Sequence, residues 1–83
     1  MATLLFVSNL MFVIHTRDHG WPHVTVYRGN PESHEAMAKI RLDTLEPIEV
    51  NQFSRRDAIV IIKIVAKYQS EWLEVWNEIF KGR

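Results

Sequence analysis

The stretch HVTVYRGNPESHEAMAKIRL (residues 23–42) holds two alternating runs around one turn. In the first, Val24, Val26 and Arg28 share one face while Thr25 and Tyr27 share the other, which is the two-residue period of a strand. Gly29, Asn30 and Pro31 then each favour a bend for a separate reason: free backbone, side-chain capping and a fixed φ. In the second run Ala36, Ala38 and Ile40 form an inward set, and Lys39 and Arg41 point outward. Short, tight connections of this kind make an antiparallel meander the simplest topology.

Upstream lies MATLLFVSNLMFVIH (residues 1–15), read as a strand or a hairpin-like pair bent at Ser8-Asn9. From Leu10 to His15 both faces are mostly apolar, with Leu10, Phe12 and Ile14 on one and Met11, Val13 and His15 on the other. Such a strand is either central and covered, or an edge covered by another chain. The run lacks a basic leading region and a small-residue cleavage site, and it falls short of the roughly 18 apolar residues of a membrane span. No membrane association is therefore expected. Downstream, DTLEP turns the chain again and IEVNQF reads as a short strand or an extended lead-in.

The remainder reads as one helix over about residues 55–81. Ser54 with Asp57 three residues later resembles a capping box, and puts a carboxylate in the positive first turn. Ala58, Ile61, Ile62, Val65, Tyr68, Trp72, Trp76 and Ile79 recur at helical spacing. Lys63, Lys67, Glu71, Glu74 and Glu78 lie mostly off that stripe, and Gly82 is placed to end it. At 1.5 Å per residue the helix would run roughly 40 Å, more than a small sheet covers. The Ile-rich half is expected on the sheet, and the Trp-rich half over a sheet edge or against a partner subunit. Ile59, Val60, Ile64 and Leu73 widen the apolar surface beyond the stripe. The reading is a single α+β domain over residues 1–83: an antiparallel sheet of three to four strands, within about residues 3–52, packed by one long C-terminal helix.

Composition narrows the function classes. A 47% hydrophobic, 11% aromatic chain supports a packed core rather than disorder. The absence of cysteine excludes disulfides and thiolate metal sites and makes the cytoplasm the expected compartment. Ten basic and ten acidic residues cancel, which removes the broad electrostatic case for nucleic-acid binding.

One segment carries chemistry-bearing residues: Asp18-His19-Gly20-Trp21-Pro22-His23-Val24-Thr25-Val26. It resembles the mark of a small bacterial family, the domain-of-unknown-function family four-one-six-zero, whose pattern is Asp-His-x-Pro-Pro-His-x-His-Val. Trp21 stands at the pattern's first proline and Thr25 at its last histidine. Ala36 to Ile40 matches the family's following strand and Leu73 to Trp76 its Leu-x-x-Trp helix. Many members carry histidine where this chain has Phe80. The resemblance implies a compact sheet-plus-helix domain. Members often sit beside antitoxin-like partners, which implies a component of a toxin–antitoxin-like or mobile-element system.

Several roles are open to the segment on its residues alone. A zinc site needs three or four ligands, which His15, Asp18, His19 and His23 could supply, though Thr25 is a poor ligand. Two histidines beside a carboxylate could perform the acid–base work of a small ribonuclease, with Asp18, His19 and His23 as the catalytic set. Neither the metal nor the catalytic set is adopted, and no cofactor is expected. The plainer reading makes the segment a structural staple, with Asp18 accepting turn N–H groups and a histidine bridging backbone. A binding surface centred on Asp18, His19, Trp21 and His23 is the further option, since a large aromatic on a turn is often a contact residue. Arg55 and Arg56 at the helix start, with Arg17 and Arg28, could hold phosphate, although nucleic acid is not the favoured partner. The expected function is protein–protein contact, with a homodimer and a cognate protein partner.

Overall fold

A computed structural model of the chain describes residues 1–17 and 20–81. Five strands come first: β1 (Ala2–Val7), β2 (Leu10–Ile14), β3 (His23–Gly29), β4 (His34–Arg41) and β5 (Pro47–Asn51). Two helices follow, α1 (Arg55–Lys67) and α2 (Gln69–Ile79). The strands form one sheet in chain order, each antiparallel to the next. The α+β meander is as expected, but the strand count is five rather than three to four.

The two strands that the sequence left open, the first of the hairpin-like pair and the IEVNQF segment, lie at the sheet's two edges as β1 and β5. Ser8 and Asn9 both take positive φ, 51° and 65°, the pairing that a two-residue hairpin turn of matching twist requires. Val7 and Leu10 flank that turn, so the N-terminal apolar run folds back on itself as β1 and β2. At the other edge every residue of β5 is exposed, so no inward–outward alternation marks it as a strand. Placed between β1 and β3, β2 is paired along both edges, and its faces are covered separately: Leu10, Phe12 and Ile14 by the core, with Val13 buried on the opposite face.

Gly29 ends β3 at a point of shifted register. Its φ is 119°, and a Cβ there would stand 2.6 Å from the Ser33 carbonyl oxygen. The position requires glycine on both counts. Asn30 Oδ1 then accepts from the Glu32 and Ser33 N–H groups at 3.0 and 2.8 Å, and this closes the turn into β4.

The helices cover one face of the sheet. Leu10, Phe12, Ile14, Val24, Val26, Ala36, Ala38, Ile40 and Leu42 meet Phe53, Ile61, Val65, Trp72 and Trp76 in one core. Ser54 caps α1 by accepting the Asp57 N–H at 3.1 Å. The expected single helix is interrupted. At Tyr68 (φ −105°, ψ 11°) the N–H is shared between the carbonyls of Ile64 and Val65, a tightened turn rather than a continued α ladder. Gln69 holds the break, since its Nε2 donates to the Leu42 carbonyl at 2.7 Å. The Trp-rich half therefore lies against the sheet and not beyond it: the Trp72 ring packs 5.5 Å from Phe12, a core residue of central β2. Gly82, read as the helix stop, lies outside the described residues; Phe80 caps α2.

Candidate functional site

The sheet face turned away from the core carries the second row of side chains. On β2 and β3 this row includes Met11, Val13, Thr25 and Tyr27, paired Met11 to Tyr27 and Val13 to Thr25. No residue of this row belongs to the helix-facing core, yet Val13 and Thr25 are completely buried. Register and one hydrogen bond explain why. His15 Nε2 and the Tyr27 hydroxyl are 2.8 Å apart. Tyr27 stands opposite Met11, so His15 is four residues away along β2, about 13 Å at ~3.3 Å per residue. The two side chains can meet only by lying along the sheet over the Val13–Thr25 pair between them. The Tyr27 ring is also edge-on to His15 at 6.0 Å and packs against His34 at 4.8 Å. Thr25 Oγ1, beneath this strap, has no hydrogen-bond partner among the described residues.

The segment with the Asp-His pair precedes β3 in the chain. Its Asp18 and His19, named above for binding, catalysis and metal ligation, lie outside the described residues. His23 is buried, and its Nδ1 is 2.9 Å from the Trp21 carbonyl. A carbonyl only accepts, so Nδ1 carries the proton and donates. The ring also packs against Trp76 of α2, with centroids 5.3 Å apart. Strand alternation places His23 with Thr25 and Tyr27, but it heads β3, where the ring can reach the helix. It thus ties the turn before β3 to α2 through one backbone carbonyl and one ring contact.

Trp21 is 57% exposed. The Arg41 guanidinium lies 4.7 Å from its ring centre, a cation–π contact. Arg41 also donates to both Asp43 oxygens, at 2.8 and 2.6 Å. That hydrogen bonding is the main cause of a lowered Asp43 pKa and a raised Arg41 pKa. Trp21, Arg41 and Asp43 so form one surface unit, and only Trp21 is legible in sequence. Arg41 reads there as an outward strand residue.

The arginine patch is divided. Arg28 donates to Asp57 at 3.0 Å and lies over the Phe53 ring at 5.2 Å, so it is committed within the fold. Arg17 is exposed before the turn, while Arg55 and Arg56 are exposed on the first turn of α1. Two cations at the positive end of a helix weaken it slightly, so their presence there is not explained by helix stability. Among the described residues no three His, Asp or Glu side chains gather as metal ligands do. His15 belongs to the Tyr27 strap and His23 to the Trp21–Trp76 junction.

Comparison with known proteins adds one match. The family model described as a domain of unknown function (DUF4160) matches residues 9–77, from the β1–β2 turn to within α2. No curated protein and no solved structure matches the chain. Among the described residues no helix is long and apolar enough to cross a membrane.

Proposed function

The chain belongs to the DUF4160 family, and we propose that it is a protein-interaction domain that self-associates and binds a cognate protein partner in a toxin–antitoxin-like or mobile-element system. The observation that supports this is where the large apolar side chains remain exposed. Met1, Phe6 and Val7 are exposed at the β1 edge, Ile48 and Val50 at the β5 edge, and Ile59 and Val60 on α1. Trp21 adds an aromatic on the turn before β3. Isolated exposed apolar residues need no explanation, but both edges of an open sheet bearing them together is the composition of contact surface. Formal charge is zero, so apolar contact rather than long-range attraction would drive association.

The experiment is co-expression with the product of the adjacent gene, followed by purification and mass measurement of any complex. A stoichiometric complex weakened by Trp21→Ala or Ile59→Lys is expected. The reading fails if the protein stays uncomplexed and instead cleaves RNA, or gains thermal stability from zinc in a manner lost on changing Asp18, His19 or His23. Either result would restore the ribonuclease or metal-site alternative.

A further inference from the structure

Resting on that reading, we infer that the partner in self-association is a second copy of this chain added at β1, edge to edge and antiparallel, which joins two five-stranded sheets into one of ten. The two edges of the sheet are guarded unequally. Strand β5 begins at Pro47, carries Glu49 and is irregular in its pairing with β4. A proline, a charge and a register shift are the usual devices that stop an edge from pairing. Strand β1, Ala-Thr-Leu-Leu-Phe-Val, has neither charge nor proline. Its single irregularity falls between Thr3 and Leu5, and this leaves Leu5 to Val7 in continuous register.

The hydrogen-bonding groups at that edge follow from the hairpin. Val7 and Leu10 flank a two-residue turn and exchange the inner bonds, so by alternation Phe6 turns its own N–H and C=O away from β2. These groups are left for another strand. The Phe6 side chain is 60% exposed, with Val7 and Met1 exposed beside it.

Charge identifies the occupant. A two-fold axis pairs each strand antiparallel with its own copy, so a charge at the strand's centre meets itself. Strand β1 has none and suits its own copy, whereas two β5 strands would bring Glu49 against Glu49. A head-to-tail β1–β5 contact would leave an edge free at each end and grow without limit, and the guarding of β5 opposes it. Pairing at β1 alone closes at two copies.

The test uses the whole chain. Wild type at about 100 µM should sediment at twice 9.8 kDa, and Phe6→Lys should weaken the dimer by roughly thirtyfold or more, the scale of a lost interface anchor. Phe6 is exposed, so the variant should keep the wild-type far-UV spectrum and monomer melting point; Glu49→Ala should leave the dimer unaltered. Amide exchange supplies a second readout, in which the Phe6 N–H is protected at high concentration and exchanges freely on dilution. A monomeric wild type would defeat self-association itself. A dimer that survives Phe6→Lys, with the Phe6 N–H exchanging freely throughout, would overturn only the β1 assignment. Open-ended oligomers would overturn it as well.

Discussion

Trp76→Ala should remove a large fraction of the domain's stability, and the size of the loss can be worked from its surroundings. Trp76 is 6% exposed and packs between His23, at 5.3 Å, and Phe80, at 4.2 Å. A buried tryptophan removes about 200 Å² from water, which at ~25 cal/mol per Å² is on the order of 5 kcal/mol. Alanine keeps a small part of that, and partial collapse of the site recovers more, so a loss of about 3–5 kcal/mol is expected. At ~0.05–0.15 kcal/mol per residue, a chain of this length has a total stability of roughly 4–12 kcal/mol. The deletion thus removes a large fraction of it. The loss also detaches the His23 ring from α2, and so loosens the turn that Trp21 and His23 hold together. Urea unfolding followed by far-UV circular dichroism is the suitable assay, because tryptophan fluorescence changes with the substitution itself. Each kcal/mol should lower the melting point by about 4–8 °C in a domain of this size, so a fall of at least roughly 12 °C is predicted. Trp21→Ala, at an exposed ring held by one cation–π contact, should cost about 1 kcal/mol or less. If the Trp76 and Trp21 variants melted within a few degrees of each other, the packing argument would be refuted.

Gly29→Ala should cost about 2–3 kcal/mol by calorimetry, because alanine meets both an unfavourable φ and the Ser33 carbonyl; a change under 0.5 kcal/mol, within the noise of a surface substitution, would mean the turn adjusts freely. Thr25→Val should be neutral or slightly stabilising, since it removes a buried hydroxyl that lacks a partner among the described residues while keeping the shape beneath the Tyr27 strap; a loss above about 1.5 kcal/mol would show a hydrogen bond there. The Asp57 carboxyl is held below its ordinary range first by the Arg28 hydrogen bond and then by the Ser54 hydroxyl. Its folded pKa is thus below the unfolded value of about 3.9, so its contribution is present above that pH and disappears as pH falls through the depressed value. Asp57→Asn should accordingly flatten the fall in urea midpoint between neutral and acid pH. Parallel profiles for wild type and variant would rule out this linkage. The β1 pairing supplies the remaining prediction, read by sedimentation of Phe6→Lys.

Sequence alone determined what depends on near neighbours in the chain. The alternation of residues 23–42 set out β3, its turn and β4, because successive strand side chains point to opposite faces wherever the strand lies. The stripe from Ala58 to Ile79 marked the helical face that meets the sheet: Ile61, Val65, Trp72 and Trp76 are its buried members. The Ser54 cap was equally local. The strand count was only partly legible, since β1 depends on a Ser-Asn turn without glycine and β5 has no buried face to leave a pattern. Tertiary structure decided the break at Tyr68, where Gln69 reaches the Leu42 carbonyl from 27 residues away. It also decided where His15 and His23 lie. Spacing could list His15 and His23 together, but only the sheet register lays His15 against Tyr27, and only the folding of α2 across the sheet sets Trp76 beneath His23. Periodicity says which face of an element is apolar; what covers that face is chosen by elements distant in sequence, through packing that no local pattern encodes.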